Sequence, residues 1–119
     1  VVNALGSGLV GSYGFMSYTG DISQYFADEE LKLHSVGTWW CGESEKLEYV
    51  CANVKRLVVK AAQPHTRLGP SFGPSLTDAQ AAALVSRIRS NPSLFIGQDL
   101  VDLSTTPVWS KGRFEPRPM

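Results

Sequence analysis

Two short apolar runs, Arg56-Leu57-Val58-Val59-Lys60 and Leu94-Phe95-Ile96-Gly97-Gln98-Asp99-Leu100-Val101, bracket a proline- and glycine-bearing connection and a helix that carries its own start signal. This order constrains the fold more than any other feature. Each run has the β-branched or aromatic content of a buried strand. The helix between them opens on Thr77-Asp78-Ala79-Gln80, a capping box in which the threonine oxygen takes the N3 amide and the glutamine reaches back. Ala81, Leu84, Val85 and Ile88 then fall on one face, and Asn91-Pro92 stops the helix.

The same reading extends outward. Ser44 caps a helix running to about Asn53, with Leu47, Val50, Cys51 and Val54 as its apolar stripe. Leu31 to Trp40 reads as extended. The glycine-broken stretch before it reads as a weak helix near 9–18 and a better one near 22–29, with Asp21 as N-cap and Ile22, Tyr25 and Phe26 on one face. Leu103 to Trp109 is a further extended segment, followed by a turn at Ser110-Lys111-Gly112-Arg113. The order αβαβαββ leaves one strand pair without a crossover helix. It therefore favours an α+β fold, a mostly antiparallel sheet with helices packed on one face.

The chain has 119 residues, enough for a single domain with one core. Eleven basic residues balance eleven acidic ones, so no global field draws the chain to nucleic acid or to an anionic membrane. No apolar run is long enough to span a bilayer. Two cysteines form neither a disulfide framework nor a zinc site and suit a reducing, cytoplasmic setting. The first residues read as the end of a strand and the last end no element, so the chain reads as a piece of a longer protein.

Lys60 leaves the exit of an apolar strand, where the sheet fixes its Cα and its ammonium is free to reach an anion. The bland alternative is a strand-end lysine that snorkels to water. Gly69 and Gly73 in the following loop permit close backbone approach to phosphate oxygens, with His65 and Arg67 adding charge. Gln98, Asp99, Leu100 and Val101 form a strand end whose backbone can offer adenine one donor and one acceptor, and Asp99 can accept from a ribose hydroxyl. Asn3, before a glycine turn, can offer an amide oxygen to Mg²⁺. Trp39 and Trp40 read as core rather than as a ligand platform. Cys41 has no evident base among His34 and His65.

Four runs carry a family resemblance: Val2-Asn3-Ala4-Leu5-Gly6-Ser7-Gly8, Leu33 to Gly42 with its Thr-Trp-Trp-Cys-Gly, Leu57-Val58-Val59-Lys60, and Leu103-Ser104-Thr105-Thr106-Pro107-Val108-Trp109. In this order they resemble the circularly permuted ATP-grasp proteins, a group similar to glutathionylspermidine synthases. The resemblance implies an ATP-grasp subdomain, ATP with Mg²⁺, and an acylphosphate route joining a carboxylate to an amine. It matches Lys60 to the phosphate-contacting lysine, Gln98 to Val101 to the adenine hinge, and Asn3 to an asparagine that helps hold magnesium. Members tend to carry proline where this chain has Ala61, and they are much longer. Residues 1–119 are accordingly expected to be one partial ATP-grasp domain, an ATP-binding lobe whose partner is the missing half or a second copy. The alternative is a non-catalytic α+β interaction module, for which an exposed Trp39, Trp40 or Trp109 would be the mark.

Overall fold

The computed structural model describes residues 4–66, 68–102 and 104–118. Strands β1 (Thr38–Trp40), β2 (Leu57–Ala61), β3 (Ser71–Phe72) and β4 (Phe95–Asp99) form an antiparallel sheet in the order β1-β4-β2-β3. Helices α1 (Ser7–Val10) and α2 (Thr19–Ala27) precede the sheet; α3 (Ser44–Ala52) and α4 (Asp78–Ser90) are threaded between its strands. Strands β5 (Thr105–Ser110) and β6 (Arg113–Pro118) make a separate hairpin. The α+β class expected from the sequence is the one observed.

The pleat sorts the sheet's side chains. Trp39, Leu57, Val59, Ala61, Phe95 and Gly97 share one face; Thr38, Trp40, Val58, Lys60, Ile96 and Gln98 share the other. Helices α3 and α4 cover the first face. Val50 from α3 and Val54 just beyond its end, with Ala81, Leu84 and Ile88 from α4, close on Leu57, Val59 and Phe95 in a single cluster. Gly97 is what lets α3 come so near: a Cβ there would lie 2.6 Å from one methyl of Val50 and 3.0 Å from the other. The capping box forms as expected, with the Gln80 amide on the Thr77 hydroxyl and the Gln80 side chain accepting from the Thr77 amide. Asp78 in the first turn and Arg87 and Arg89 in the last complement the helix dipole. Arg89 also clamps Glu48 of α3 through two 2.7 Å bonds.

Elsewhere the structure departs from the sequence expectations. Residues Tyr13–Tyr18 form a 3₁₀ helix, which lies against β1 and β4. Its N-cap is Ser12, whose hydroxyl accepts from the Phe15 amide at 3.3 Å. Helix α2 therefore starts at Thr19, Asp21 lies in its first turn rather than at the cap, and the helix packs on the 3₁₀ segment instead of the sheet. Tyr25 and Phe26 are 83% and 81% exposed as a result. Of the extended stretch 31–40, only Thr38–Trp40 finds a strand partner. Ser44 is the first residue of α3; Glu43 occupies its cap position. The loop 61–76 contains β3 and a 3₁₀ turn, Gly73–Ser75.

The hairpin turns on Lys111 and Gly112, with φ of 49° and 80°, which makes a two-residue turn of the kind that matches strand twist. Rungs of such a ladder alternate between hydrogen-bonded and non-bonded pairs, starting bonded at Ser110–Arg113. Pro107 and Pro116 pair with each other two rungs beyond a non-bonded Trp109–Phe114 pair, so neither proline removes a ladder bond. Their missing N–H groups would point outward, which blunts both edges against strand addition. The radius of gyration is 17.5 Å, well above the roughly 13–14 Å of a compact chain of this length.

Candidate functional site

Lys60 and Gln98 lie on the sheet face away from α3 and α4. Lys60 pairs with Ile96 in the register, so Gln98 is its diagonal neighbour on β4. That spacing is within reach of two long side chains. Lys60 Nζ donates to Gln98 Oε1 at 2.7 Å. Gln98 Nε2 donates to Thr38 Oγ1 at 3.1 Å, and that hydroxyl donates to the Val36 carbonyl at 2.8 Å. Gln98 is only 9% exposed. The Tyr13 ring closes another side, its centroid 5.8 Å from the Lys60 ammonium. The result is one half-buried cation whose position is set from three strands.

One residue beyond Gln98, at Asp99, the strand ends. The Asp99 amide donates to the Gly37 carbonyl at 2.9 Å, and Leu100 and Val101 leave the sheet as exposed residues. Lys60 and the start of the 98–101 segment thus share one region of the sheet. Within that segment Gln98 differs from its neighbours: its backbone is paired on both sides, with Thr38 and with Val58, and its side chain serves Lys60. Backbone free to meet a base begins after Asp99. Asn3 and Arg67 lie outside the described residues. Gly73 is buried against the carbonyl oxygen of Val54, so its place is in packing, whereas Gly69 and His65 stand open. Among the described residues no three His, Cys, Asp or Glu side chains are grouped to hold a metal ion.

The two tryptophans divide. Trp39 joins the core and its ring stands 4.6 Å from that of Tyr49. Trp40 donates from Nε1 to the Ser93 carbonyl at 3.0 Å and walls a cavity of about 320 Å³ with Leu9, Ser12, Phe15, Tyr18 and Leu94. The cavity stands at the Leu94 end of β4, away from Leu100. Sequence reasoning missed it, because the 3₁₀ helix that forms its roof has no periodic signature. It also missed Tyr13 and Thr38. Alternation along Thr38-Trp39-Trp40 puts Thr38 on one face, yet nothing local says that Gln98 will lie beside it.

Nearby ionisable groups are structural. Burial, then the neighbouring Cys51, pushes the Cys41 thiol up to about 12, which leaves it a protonated core side chain at neutral pH. Burial, and then its bond to Glu43, likewise pushes Tyr18 up to about 12. The Tyr18 hydroxyl and then Lys46 hold the Glu43 carboxyl below its ordinary value.

Comparison with known proteins agrees with this architecture. The sequence model of the family described as circularly permuted ATP-grasp type 2 matches residues 1–119. A Frankia casuarinae protein named "Putative glutamate--cysteine ligase 2-2" is 34% identical over 116 residues, 98% of this chain and 14% of its own length. A Frankia alni protein named "Putative glutamate--cysteine ligase 2-3" has the same identity and coverage. A protein of Synechocystis, named only as uncharacterized, is 32% identical over 117 residues, 98% of this chain and 24% of its own length. The chain thus spans about a seventh to a quarter of the length of these three relatives. Among the described residues no helix is long and apolar enough to cross a membrane. A match over every residue and relatives above 30% identity establish the family: the chain belongs to the circularly permuted ATP-grasp type 2 proteins.

Proposed function

We propose that residues 1–119 are part of a longer ATP-grasp domain and supply the nucleotide-binding lobe of an ATP-dependent carboxylate–amine ligase. The observation that carries this reading is the Lys60 ammonium, held 2.7 Å from Gln98 on one sheet face beside the strand end at Asp99. Lys60 would neutralise phosphate charge as an acylphosphate forms. The unpaired backbone at Leu100 and Val101 would meet the adenine edge, and the exposed Asp99 carboxylate the ribose. Mg²⁺ would enter with the nucleotide, and Asn3 would offer it an amide oxygen. The names of the Frankia relatives support ligase chemistry of this class. They belong to chains of which this segment is 14%, so they do not assign the glutamate–cysteine reaction to it. Two free cysteines support a reducing, cytoplasmic setting.

The exposed Trp109–Phe114 pair, with ring centroids 5.0 Å apart, gives a surface for the remaining half of the domain or for a second copy. Trp39 and Trp40 are half-buried and offer no such surface. The test is thermal unfolding with Mg-ATP. Ligand at 100 times its dissociation constant stabilises by about 2.7 kcal/mol, and Lys60→Met should remove most of that gain. A flat response in both proteins would instead support a non-catalytic interaction module, and sedimentation of the same samples would report self-association.

A further inference from the structure

We propose that Thr38 is a positioning residue for the Lys60 ammonium, acting through Gln98; the role rests on the nucleotide reading above. Where each proton goes decides the geometry. A threonine hydroxyl has one, and Thr38 gives it to the Val36 carbonyl at 2.8 Å. The Thr38 oxygen can then only accept. Gln98 must turn its NH₂ toward Thr38, which leaves its carbonyl oxygen facing Lys60. The flipped amide would set NH₂ against an ammonium and a carbonyl oxygen against an oxygen whose proton is committed elsewhere. The first contact is repulsive, and the second is relieved only if Thr38 gives up its bond to the Val36 carbonyl to donate to the glutamine oxygen.

The sheet makes this relay possible. Strands β1 and β2 are not paired with each other; β4 lies between them. Thr38 is directly paired with Gln98, and Lys60 is diagonal to it, so one glutamine side chain spans the two outer neighbours of its strand. An ammonium has three donors. Gln98 takes one and leaves two for anionic oxygens. A lysine stem held in this way loses less rotamer freedom when phosphate arrives, which is the advantage of preorganisation.

The experiment measures ATP affinity by calorimetry, in the presence of Mg²⁺, for the chain and for Thr38→Val, Thr38→Ser, Lys60→Met and the Thr38→Val/Lys60→Met pair. Heteronuclear NMR of the Gln98 side-chain amide accompanies it. Thr38→Val, which keeps the shape and removes the acceptor, should weaken binding about five- to tenfold, the worth of one hydrogen bond. Thr38→Ser should restore affinity to within about twofold, since the hydroxyl inventory is unchanged. The Gln98 amide protons should lose their exchange protection in Thr38→Val and keep it in Thr38→Ser. In the Lys60→Met background the Thr38→Val effect should vanish. If Lys60→Met binds like the parent, or the parent does not bind, the nucleotide reading itself falls. If Lys60→Met weakens binding but Thr38→Val does not, or if the Thr38 effect survives the loss of Lys60, the reading stands and the positioning role is overturned.

Discussion

Helix α4 and the β5–β6 hairpin are of similar length, yet they are stabilised in opposite ways. The helix buries Ala81, Leu84 and Ile88 against two strands and another helix. Among the described residues of the hairpin none is buried, and Trp109 and Phe114 are 63% and 69% exposed. Every buried apolar side chain among the described residues falls between Cys41 and Ile96. Among the described residues the core lies in one packed block, the four-stranded sheet with α3 and α4, which is expected to unfold as a cooperative block. The hairpin is held by local means: a two-residue turn, an aromatic pair and its ladder.

The harshest test of that division is to remove the same kind of group from each side. Ile88→Ala deletes a fully buried side chain at the centre of the cluster. It should cost about 2–5 kcal/mol, because transfer and cavity terms add. Trp109→Ala removes a larger side chain from the hairpin but should cost at most about 1 kcal/mol, the worth of a cross-strand pair. Urea unfolding of the two variants reads the difference directly. Equal losses would mean that the hairpin belongs to the cooperative block.

Alkaline pH separates the regions without mutation. Burial lifts the Cys41 thiol from an ordinary 9.0 to about 12. In the unfolded chain the thiol ionises first, so above about pH 9 the unfolded state holds fewer protons than the native one. Stability must then fall as pH rises from about 9 toward 12, with the full contribution present below that window. The urea midpoint should drop between about pH 9 and pH 11, and less steeply in Cys41→Ala. An unchanged slope in Cys41→Ala would show that other groups carry the alkaline loss. A milder change acts on the helix alone. Thr77→Ala removes the capping-box acceptor of the Gln80 amide and should cost about 1 kcal/mol, read as a lower midpoint on urea unfolding.

What the sequence disclosed follows the same boundary. The Thr77 cap, the Ala81–Leu84–Ile88 face, the Val50–Val54 stripe and the Leu57–Val59 strand are legible because propensity, period and burial agree there. Outside the block they disagree. The Ile22–Tyr25–Phe26 spacing is a sound helical stripe, but the 3₁₀ segment already occupies the sheet face it would cover. Pro107 and Pro116 disguise a hairpin, because register that cannot be seen in a sequence puts both prolines on a non-bonded rung. The candidate site divides likewise. Lys60 is readable as a cation at a strand exit. Gln98 is readable as a strand end, but not as the partner of Lys60, and Thr38 was invisible because it meets Gln98 across 60 positions of chain.

The finest probe of the comparison is the turn itself. Lys111 holds a φ of 49°, a left-handed conformation that costs an ordinary side chain energy and that asparagine adopts readily. Lys111→Asn would create the Asn-Gly pair best suited to a two-residue hairpin turn. The gain should be about 0.5 kcal/mol and should appear only where the hairpin opens on its own. Amide exchange at Val108 and Glu115, a hydrogen-bonded rung, should slow about twofold, while the amides of Leu57 and Ile96 keep their rates. If the sheet amides slow in step with the hairpin amides, the two regions unfold together. The division between a packed block and a locally stabilised hairpin would then have to be abandoned.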